Sequence, residues 1–287
     1  MRALVIDGNS LIYRCYYASL KQLEYYKNNN LQPVNALKLM MLIVLKIISN
    51  QSYDYALVAF DASKKTLRHQ ELEEYKAGRK PMPQELVTQL PLINEAINAM
   101  GIQTLSIDQI EADDIIGGFC KIMNNENIEV DIYSSDKDML QLINEKTNVY
   151  MFKTGVSDVL KVTAGNIKEV FNNLEPHQVV DFKGISGDSS DNLVGVKGIG
   201  PITASKLILE YGNLENIYDN LDKLSENIKK KFIENKDHAF LCKKLSTIDT
   251  TILNDYAILN FINKGVDKQK ILNIINKYHF NGFNNYL

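Results

Sequence analysis

Three short runs of apolar, strand-forming residues in this chain each lead into an aspartate. They extend from Ala3 to Asp7, from Ala56 to Asp61 and from Val130 to Asp136. Continuous apolar runs of this length are typical of strands in a parallel sheet, because both faces of such a sheet are covered by helices. Helical spacing of apolar residues separates the runs, over residues 34–49, 84–100 and 112–124. We therefore predict an α/β fold with a mostly parallel central sheet flanked by helices.

The second half of the chain has a different pattern. From about residue 163 onward, short helical patterns replace the strand runs, at residues 166–171, 177–185, 203–211, 224–232 and 268–278. A chain of 287 residues exceeds the usual size of a single core. We predict an α/β core over residues 1–162 and a helical lobe over residues 163–287.

Composition places the chain among globular proteins. It has 45% hydrophobic and 23% charged residues, and no apolar run reaches the roughly 18 residues of a membrane span. We expect no membrane association and a cytoplasmic location. The net charge of −3 argues weakly against a nucleic-acid partner.

The segment from residue 62 to 83, called here the basic segment, has poor apolar periodicity. It contains six lysines and arginines against three glutamates and ends at Pro81-Met82-Pro83. Such a charged segment between a strand and a helix is typical of an exposed lid or arch.

Nine carboxylates are candidates for a common site: Asp7, Asp61, Glu111, Asp113, Asp114, Asp136, Asp138, Asp188 and Asp191. Acidic residues often only cap helices or form turns, so each group alone is ambiguous. The carboxyl ends of parallel strands meet at one edge, however, and carboxylates gathered there repel one another unless cations neutralise them. Oxygen ligands without histidine or cysteine favour Mg²⁺ or Mn²⁺. Two such ions about 4 Å apart are typical of phosphodiester hydrolysis.

A glycine-rich stretch at residues 195–206 is the second candidate site. Gly198 and Gly200 allow close approach of the backbone to a phosphate, and Lys197 and Lys206 supply positive charge. The pattern fits a hairpin between two short helices that binds the DNA backbone without reading bases, although a plain glycine-rich turn is an alternative.

Six motifs give the chain a specific resemblance. They are VIDGNSL from residue 5, AFDA from 59, RHxxxxxYKAGR from 68, EADD from 111, SSDKD from 134 and GDSSDNLVGVKGIGPITA from 187. Over nearly its whole length the chain resembles the 5′-nuclease domain of bacterial DNA polymerase I and, more broadly, the flap endonuclease superfamily. No polymerase sequence follows, so it resembles a free-standing bacterial 5′-3′ exonuclease.

The resemblance implies a resolvase- or PIN-like nuclease core in which different carboxylates bind different metal ions. One metal would be held by Asp7, Asp61, Glu111 and Asp113, and the other by Asp136, Asp138 and Asp191. Asp114 and Asp188 match additional carboxylates that act through water.

The resemblance also implies roles for the two basic regions. The basic segment would be a helical arch with Arg68 and Tyr75 contacting DNA, and Lys76 and Arg79 would stabilise charge at the scissile phosphate. Residues 187–211 would form a helix-three-turn-helix motif that anchors duplex DNA, with K⁺ bound at residues 195–201.

These features together predict a two-metal 5′-3′ exonuclease and 5′-flap endonuclease of DNA replication and repair. Its partners would be DNA with 5′ ends, flaps, nicks or branches, an RNA primer–DNA hybrid and a cooperating DNA polymerase, and we expect a monomer. Nine carboxylates in one site leave a net charge of +6 for the other residues, so basic surfaces remain for DNA.

Three alternatives are a PIN-like ribonuclease, a non-catalytic scaffold for branched DNA and a small-molecule phosphatase. Two departures from the family pattern, Glu73-Glu74 and residues 37–41, leave the preferred flap structure open.

Overall fold

A central six-stranded sheet organises the computed structural model, which describes residues 1–62, 65–153 and 158–286. The strands are β1 (Arg2–Asp7), β2 (Tyr55–Ala59), β3 (Gln103–Leu105), β4 (Glu129–Ser134), β5 (Thr147–Phe152) and β6 (Val159–Val162). Their order is β3-β2-β1-β4-β5-β6, and only the β5–β6 pair is antiparallel. The predicted mostly parallel sheet is confirmed.

The three apolar runs of the sequence correspond to β1, β2 and β4. Asp61 and Asp136 each lie two residues beyond the strand that precedes them. The sequence interpretation did not find β3, β5 or β6. Strand β3 has only three residues, and none of them is fully buried. Strands β5 and β6 mix buried with partly exposed positions, so neither forms a continuous apolar run.

Helices cover both faces of the sheet. In the N-terminal half they are α1 (Gly8–Ala18), α2 (Leu20–Asn28), α3 (Asn35–Asn50), α4 (Arg68–Glu71), α5 (Gln84–Val87), α6 (Leu90–Ala99) and α7 (Ala112–Asn125). Ala3 and Val5 of β1 pack in the same cluster as α7, whereas Leu4 and Ile6 pack with α1, α3 and α6. This alternation follows from the two-residue period of a strand.

The helical pattern of residues 84–100 is divided between two helices, α5 and α6. Pro91 occupies the first turn of α6, where its missing N–H removes no helical hydrogen bond. The break has a structural use, since the Gln89 side chain between the helices accepts hydrogen bonds from the backbone N–H groups of Ala36 and Leu37 at 3.0 and 3.1 Å. Gln89 thereby caps α3.

From residue 163 to 286 the chain forms helices joined by turns and loops. Its α-helices are α8 (Ile167–Val170), α9 (Val179–Ser186), α10 (Pro201–Tyr211), α11 (Leu214–Asp219), α12 (Glu226–Glu234), α13 (Lys236–Ser246) and α14 (Lys268–Lys277). The last helix returns to the N-terminal half, where Ile271 and Ile274 are buried in the cluster that contains α6. The division of the chain at residue 163 stays a prediction.

The basic segment differs from the expected helical arch. Residues 63–64 lie outside the described residues. From residue 65 to 83 the chain forms α4, a single four-residue helix, followed by turns. Tyr75 is only 2% exposed, so the segment is folded against the body of the protein.

In the described ranges, no helix is both long enough and apolar enough to cross a bilayer.

Candidate metal centre and active site

The carboxyl ends of β1 and β4 bring the first carboxylates together. Asp7 accepts hydrogen bonds from the Ser10 backbone N–H at 2.9 Å and from the Ser134 hydroxyl at 2.7 Å. The same Ser134 hydroxyl accepts the backbone N–H of Asp136 at 3.0 Å. Asp136 in turn accepts the backbone N–H of Asp138 at 2.9 Å. One serine at the end of β4 therefore holds Asp7 and Asp136 side by side.

Two further carboxylates lie at the junction of β2 with α7. Asp61 accepts hydrogen bonds from the backbone N–H of Ala112 at 2.8 Å and from the Asn9 side chain at 2.7 Å. Asp61 Oδ1 thus accepts the otherwise unpaired N–H of Ala112, the first residue of α7, which directly follows Glu111. Asp61 also lies close enough to Asp7 to contribute to the raised pKa of Asp7.

Two carboxylate triads share Asp138. In each triad one oxygen per residue lies within 4.8 Å of the others, and the triads are Asp113, Asp136 and Asp138, and Asp138, Asp188 and Asp191. The first triad joins β4 to α7, and the second joins β4 to the C-terminal half. Oxygen donors at this separation match the ligand set of hard divalent ions.

The electrostatics of the site show why it needs cations. Burial, with repulsion from Asp136 and Asp61, raises the pKa of Asp7 to about 6. Burial and Asp136 raise the pKa of Asp138 to about 7 despite Lys183, and burial with Asp136 and Asp7 raises the pKa of Asp113 well above its usual range. Together, these carboxylates cannot all stay charged at neutral pH without added positive charge.

Cations of the basic segment neutralise the opposite side of the site. Lys76 Nζ lies 2.8 Å from Glu111 Oε2, and Arg79 Nη2 lies 2.6 Å from Asp191 Oδ1. The Tyr75 hydroxyl donates to Glu111 at 3.2 Å or to Asp191 at 3.0 Å, so it lies between the two halves of the protein. Burial would raise the pKa of Glu111, but Lys76 and Arg68 outweigh burial and lower it.

Lys183 on α9 is a site residue that the sequence interpretation missed. Its ammonium contacts Asp138 and lies 2.6 Å from Asp188 Oδ2. Burial lowers the pKa of Lys183, but the two carboxylates outweigh burial and raise it. A lysine on a short helix is usually solvated, so its spacing of five from Asp188 was the one signal in the sequence.

Arg68 and Asp114 bind each other, an ion pair that the sequence did not indicate, and their roles in DNA and metal binding stay predictions. The guanidinium donates to both Asp114 oxygens at 2.7 Å, and Asp114 also accepts the backbone N–H of Asp249 at 2.8 Å. Arg68 Nε donates to the Leu245 carbonyl at 2.9 Å. These bonds occupy both side chains and attach α4 and α7 to the end of α13 and to the segment that follows it.

The glycine-rich hairpin precedes α10 as predicted. Gly198 has a φ of +78°, a left-handed conformation that favours glycine, and Pro201 begins α10. Lys197 and Lys206 are exposed. Gly200 lies at the N-cap position of α10 and no neighbouring atom would contact a Cβ there. Lys231 of α12 donates to the Gly198 carbonyl at 3.1 Å, a contact that the sequence did not indicate.

Comparisons with known proteins agree with this arrangement. The family model described as "5′-3′ exonuclease, N-terminal resolvase-like domain" matches residues 2–172, and the model described as "5′-3′ exonuclease, C-terminal SAM fold" matches residues 174–269. The fold and site therefore define a resolvase-like nuclease domain joined to a helical domain. The chain belongs to the 5′-3′ exonuclease family.

Two relatives illustrate the extent of the similarity. The chain is 41% identical over 280 residues to a 5′-3′ exonuclease of Mycoplasma genitalium, covering 98% of this chain and 96% of that protein. It is 36% identical over 281 residues to DNA polymerase I of Bacillus subtilis, covering 98% of this chain and 31% of the polymerase.

A solved structure shares the fold. The bacteriophage T5 D15 flap endonuclease, in a pseudo-enzyme-product complex with DNA and metal ions, superposes with a TM-score of 0.72 at 21% identity, covering 98% of this chain and 100% of that chain.

Proposed function

We propose that this protein hydrolyses DNA phosphodiesters at 5′ ends and 5′ flaps with two divalent cations, Mg²⁺ or Mn²⁺. One observation carries the proposal: two carboxylate triads share Asp138, and Lys76 and Arg79 contact Glu111 and Asp191 beside them. A site with two cation positions and a flanking pair of side-chain cations fits a phosphodiester and its developing charge.

The carboxylates would hold the two cations. Every candidate donor is an oxygen, which suits hard divalent cations. Burial raises the pKa of three of the aspartates, and bound cations would lower these pKa values again by stabilising the charged carboxylates. When bound, such ions supply an activated water and stabilise the leaving oxygen. The family resemblance divides the carboxylates differently from the triads: it assigns Asp7, Asp61, Glu111 and Asp113 to one ion and Asp136, Asp138 and Asp191 to the other, whereas the triads place Asp113 with Asp136 and Asp138.

Two residues of the basic segment would bind the scissile phosphate. Arg79 is 48% exposed at its side chain and uses one terminal nitrogen for Asp191, which leaves further N–H donors for phosphate oxygens. Lys76 is 14% exposed and lies at the inner edge of the site. Both cations would stabilise the charge that develops on the phosphate oxygens during cleavage.

The hairpin would hold the duplex next to the cleavage site. It begins four residues after Asp191, and Lys197 is exposed beside Gly198. Contacts of this kind recognise the DNA backbone and hence its structure, not its sequence. A K⁺ ion at residues 195–201 would share the hairpin carbonyls with Lys231.

The biological setting proposed for this activity is bacterial replication and repair. The protein would act as a monomer in the cytoplasm, where the chromosome lies, on DNA flaps and on RNA primer–DNA hybrids, and would cooperate with a DNA polymerase. The match to a DNA polymerase I, of which it covers 31%, supports this placement.

The proposal can be tested with labelled 5′-flap and blunt-duplex substrates in Mg²⁺, Mn²⁺ or chelator. We expect cleavage of the flap in either metal and none in chelator. Asp136→Asn keeps the acceptor for the Asp138 amide but removes a charge from the first triad, and should lower the single-turnover rate by roughly 10²-fold or more with DNA binding retained.

Asp255→Asn, at an exposed aspartate that belongs to neither triad, is the control and should cleave normally. Cleavage in chelator, or a normal rate for Asp136→Asn, would refute the two-metal assignment. A protein that binds flaps without cutting them in any metal would be a scaffold.

A further inference from the structure

His69 makes a hydrogen bond that defines its protonation. The residue lies on α4, and its Nδ1 atom is 3.0 Å from the backbone nitrogen of Thr66. A backbone N–H can only donate, so Nδ1 must be the acceptor and the ring proton must be on Nε2. The imidazole therefore accepts the Thr66 backbone N–H and holds that backbone in place.

Thr66 carries this restraint into the acidic site. Its hydroxyl lies 3.0 Å from Glu111 Oε1 and donates to it, because an ionised carboxylate can only accept. The hydroxyl oxygen is also 3.1 Å from His69 Nδ1, a contact without a hydrogen bond because the hydroxyl proton is donated to Glu111, so the imidazole lies against both polar groups of Thr66. Thr66 and Glu111 are both buried, at 7% and 3% exposure, so this bond is protected from water.

A second contact of His69 leads to the same carboxylate. The imidazole packs against the Tyr75 ring with centroids 5.4 Å apart and planes at 80°, an edge-to-face arrangement. The Tyr75 hydroxyl lies within hydrogen-bond distance of Glu111 and of Asp191. Each oxygen of Glu111 therefore lies within hydrogen-bond distance of one hydroxyl group, that of Thr66 or that of Tyr75, and both of these residues contact His69.

We propose that His69 is a positioning residue of the active site, acting through Thr66 and Tyr75 on Glu111 and Asp191. This inference rests on the proposed nuclease function. Partners that hydrogen-bond a metal-binding carboxylate orient it, and their loss typically lowers metal affinity or activity by roughly 10- to 100-fold. His69 would orient Glu111 indirectly, because it holds Thr66 and Tyr75 in place.

The test compares variants that keep or move the acceptor. His69→Asn places an oxygen near the position of Nδ1, whereas His69→Gln places it one bond further out, and His69→Ala removes it. We expect His69→Asn to retain most of the single-turnover rate, and the Gln and Ala variants to lose roughly 10- to 100-fold. Their DNA dissociation constants in Ca²⁺ should stay within a few-fold of the parent.

Mn²⁺ binding followed by electron paramagnetic resonance, without DNA, provides a readout independent of cleavage. The Gln and Ala variants should require a higher Mn²⁺ concentration for half-saturation than the Asn variant. His238→Asn, at an exposed histidine on α13, is the control for loss of an imidazole. Melting temperatures show whether each variant is folded.

Equal losses in the Asn and Gln variants, or parental rates and Mn²⁺ affinity in all three folded variants, would overturn the role of His69. Failure of the proposed function is distinguishable, because then the parent protein itself does not cleave flaps in Mg²⁺ or Mn²⁺.

Discussion

Lys76 is held in an unusual backbone conformation at the edge of the acidic site. Its φ is +56°, a left-handed value that costs a non-glycine residue about 1 kcal/mol or more. The conformation lets its backbone N–H donate to the Asp191 carbonyl at 2.9 Å while its ammonium lies 2.8 Å from Glu111. Burial lowers the pKa of Lys76, but Glu111 and Asp191 outweigh burial and raise it. Lys76 is therefore a permanent cation at neutral pH.

Lys76→Ala should slow single-turnover cleavage by roughly 10²- to 10³-fold, the usual loss when one group that stabilises transition-state charge is removed. DNA affinity should change much less, because the ammonium is buried against Glu111 before DNA arrives. Lys80→Ala, at an exposed lysine of the same segment, is the matched control. If Lys76→Ala weakened binding and left the single-turnover rate unchanged, the transition-state role would be wrong.

At the scale of elements, the hairpin before α10 combines a backbone requirement with exposed charge. A Cβ on Gly198 would lie 3.1 Å from Lys231 Nζ, and its positive φ would strain any other residue. The exposed Lys197 precedes it, so the hairpin can present one ammonium and a close backbone approach to a phosphate.

Lys197→Ala should weaken duplex binding and make it less sensitive to salt. Removing one phosphate contact lowers the slope of log affinity against log salt concentration by about 1. Titrations of a labelled flap by fluorescence anisotropy, in Ca²⁺ and at several KCl concentrations, measure the slope. Lys264→Ala, at an exposed lysine on the loop before α14, should leave it unchanged. An unaltered slope for Lys197→Ala would mean that the hairpin does not contact phosphate there.

For the whole molecule, the acidic site couples folding to cations. Asp7 and Asp138 ionise near pH 3.8 when unfolded, but burial raises their pKa to about 6 and about 7 in the folded protein. Between these values the folded state binds more protons than the unfolded state. The contribution of these two groups to the free energy of unfolding of the protein must therefore fall as pH rises from about 4 to about 7.

In chelator, the melting temperature should accordingly be lower at pH 8 than at pH 5.5, and Mg²⁺ or Mn²⁺ should restore it at pH 8. A cation at 100 times its dissociation constant adds about 2.7 kcal/mol of stability. Asp138→Asn should reduce both the pH dependence and the gain from cations. Differential scanning fluorimetry measures all three. A melting temperature at pH 8 that is indifferent to the cations would contradict the coupling.

Much of the site was predictable because it follows strand ends. Asp7, Asp61 and Asp136 come directly after apolar runs, and parallel strands bring their carboxyl ends to one edge. The family motifs further marked Tyr75, Lys76 and Arg79, which do contact the acidic residues. The short, half-exposed strand β3 and the break at Pro91 lacked such a signal, because their patterns are too brief to establish a period.

The pairing of charges could not be read along the chain. Arg68 belongs to a motif shared with DNA-binding residues, yet it lies against Asp114, because α4 and α7 meet only in the folded protein. Lys183 and Asp138 are 45 positions apart and come into contact because α9 packs against the 3-10 helix Lys137–Leu142 that follows β4. Local residue chemistry and strand periodicity were enough to predict a parallel sheet with an acidic edge. Which cation neutralises which carboxylate depends on side-chain distances of a few ångströms, and packing between the two halves of the chain sets those distances.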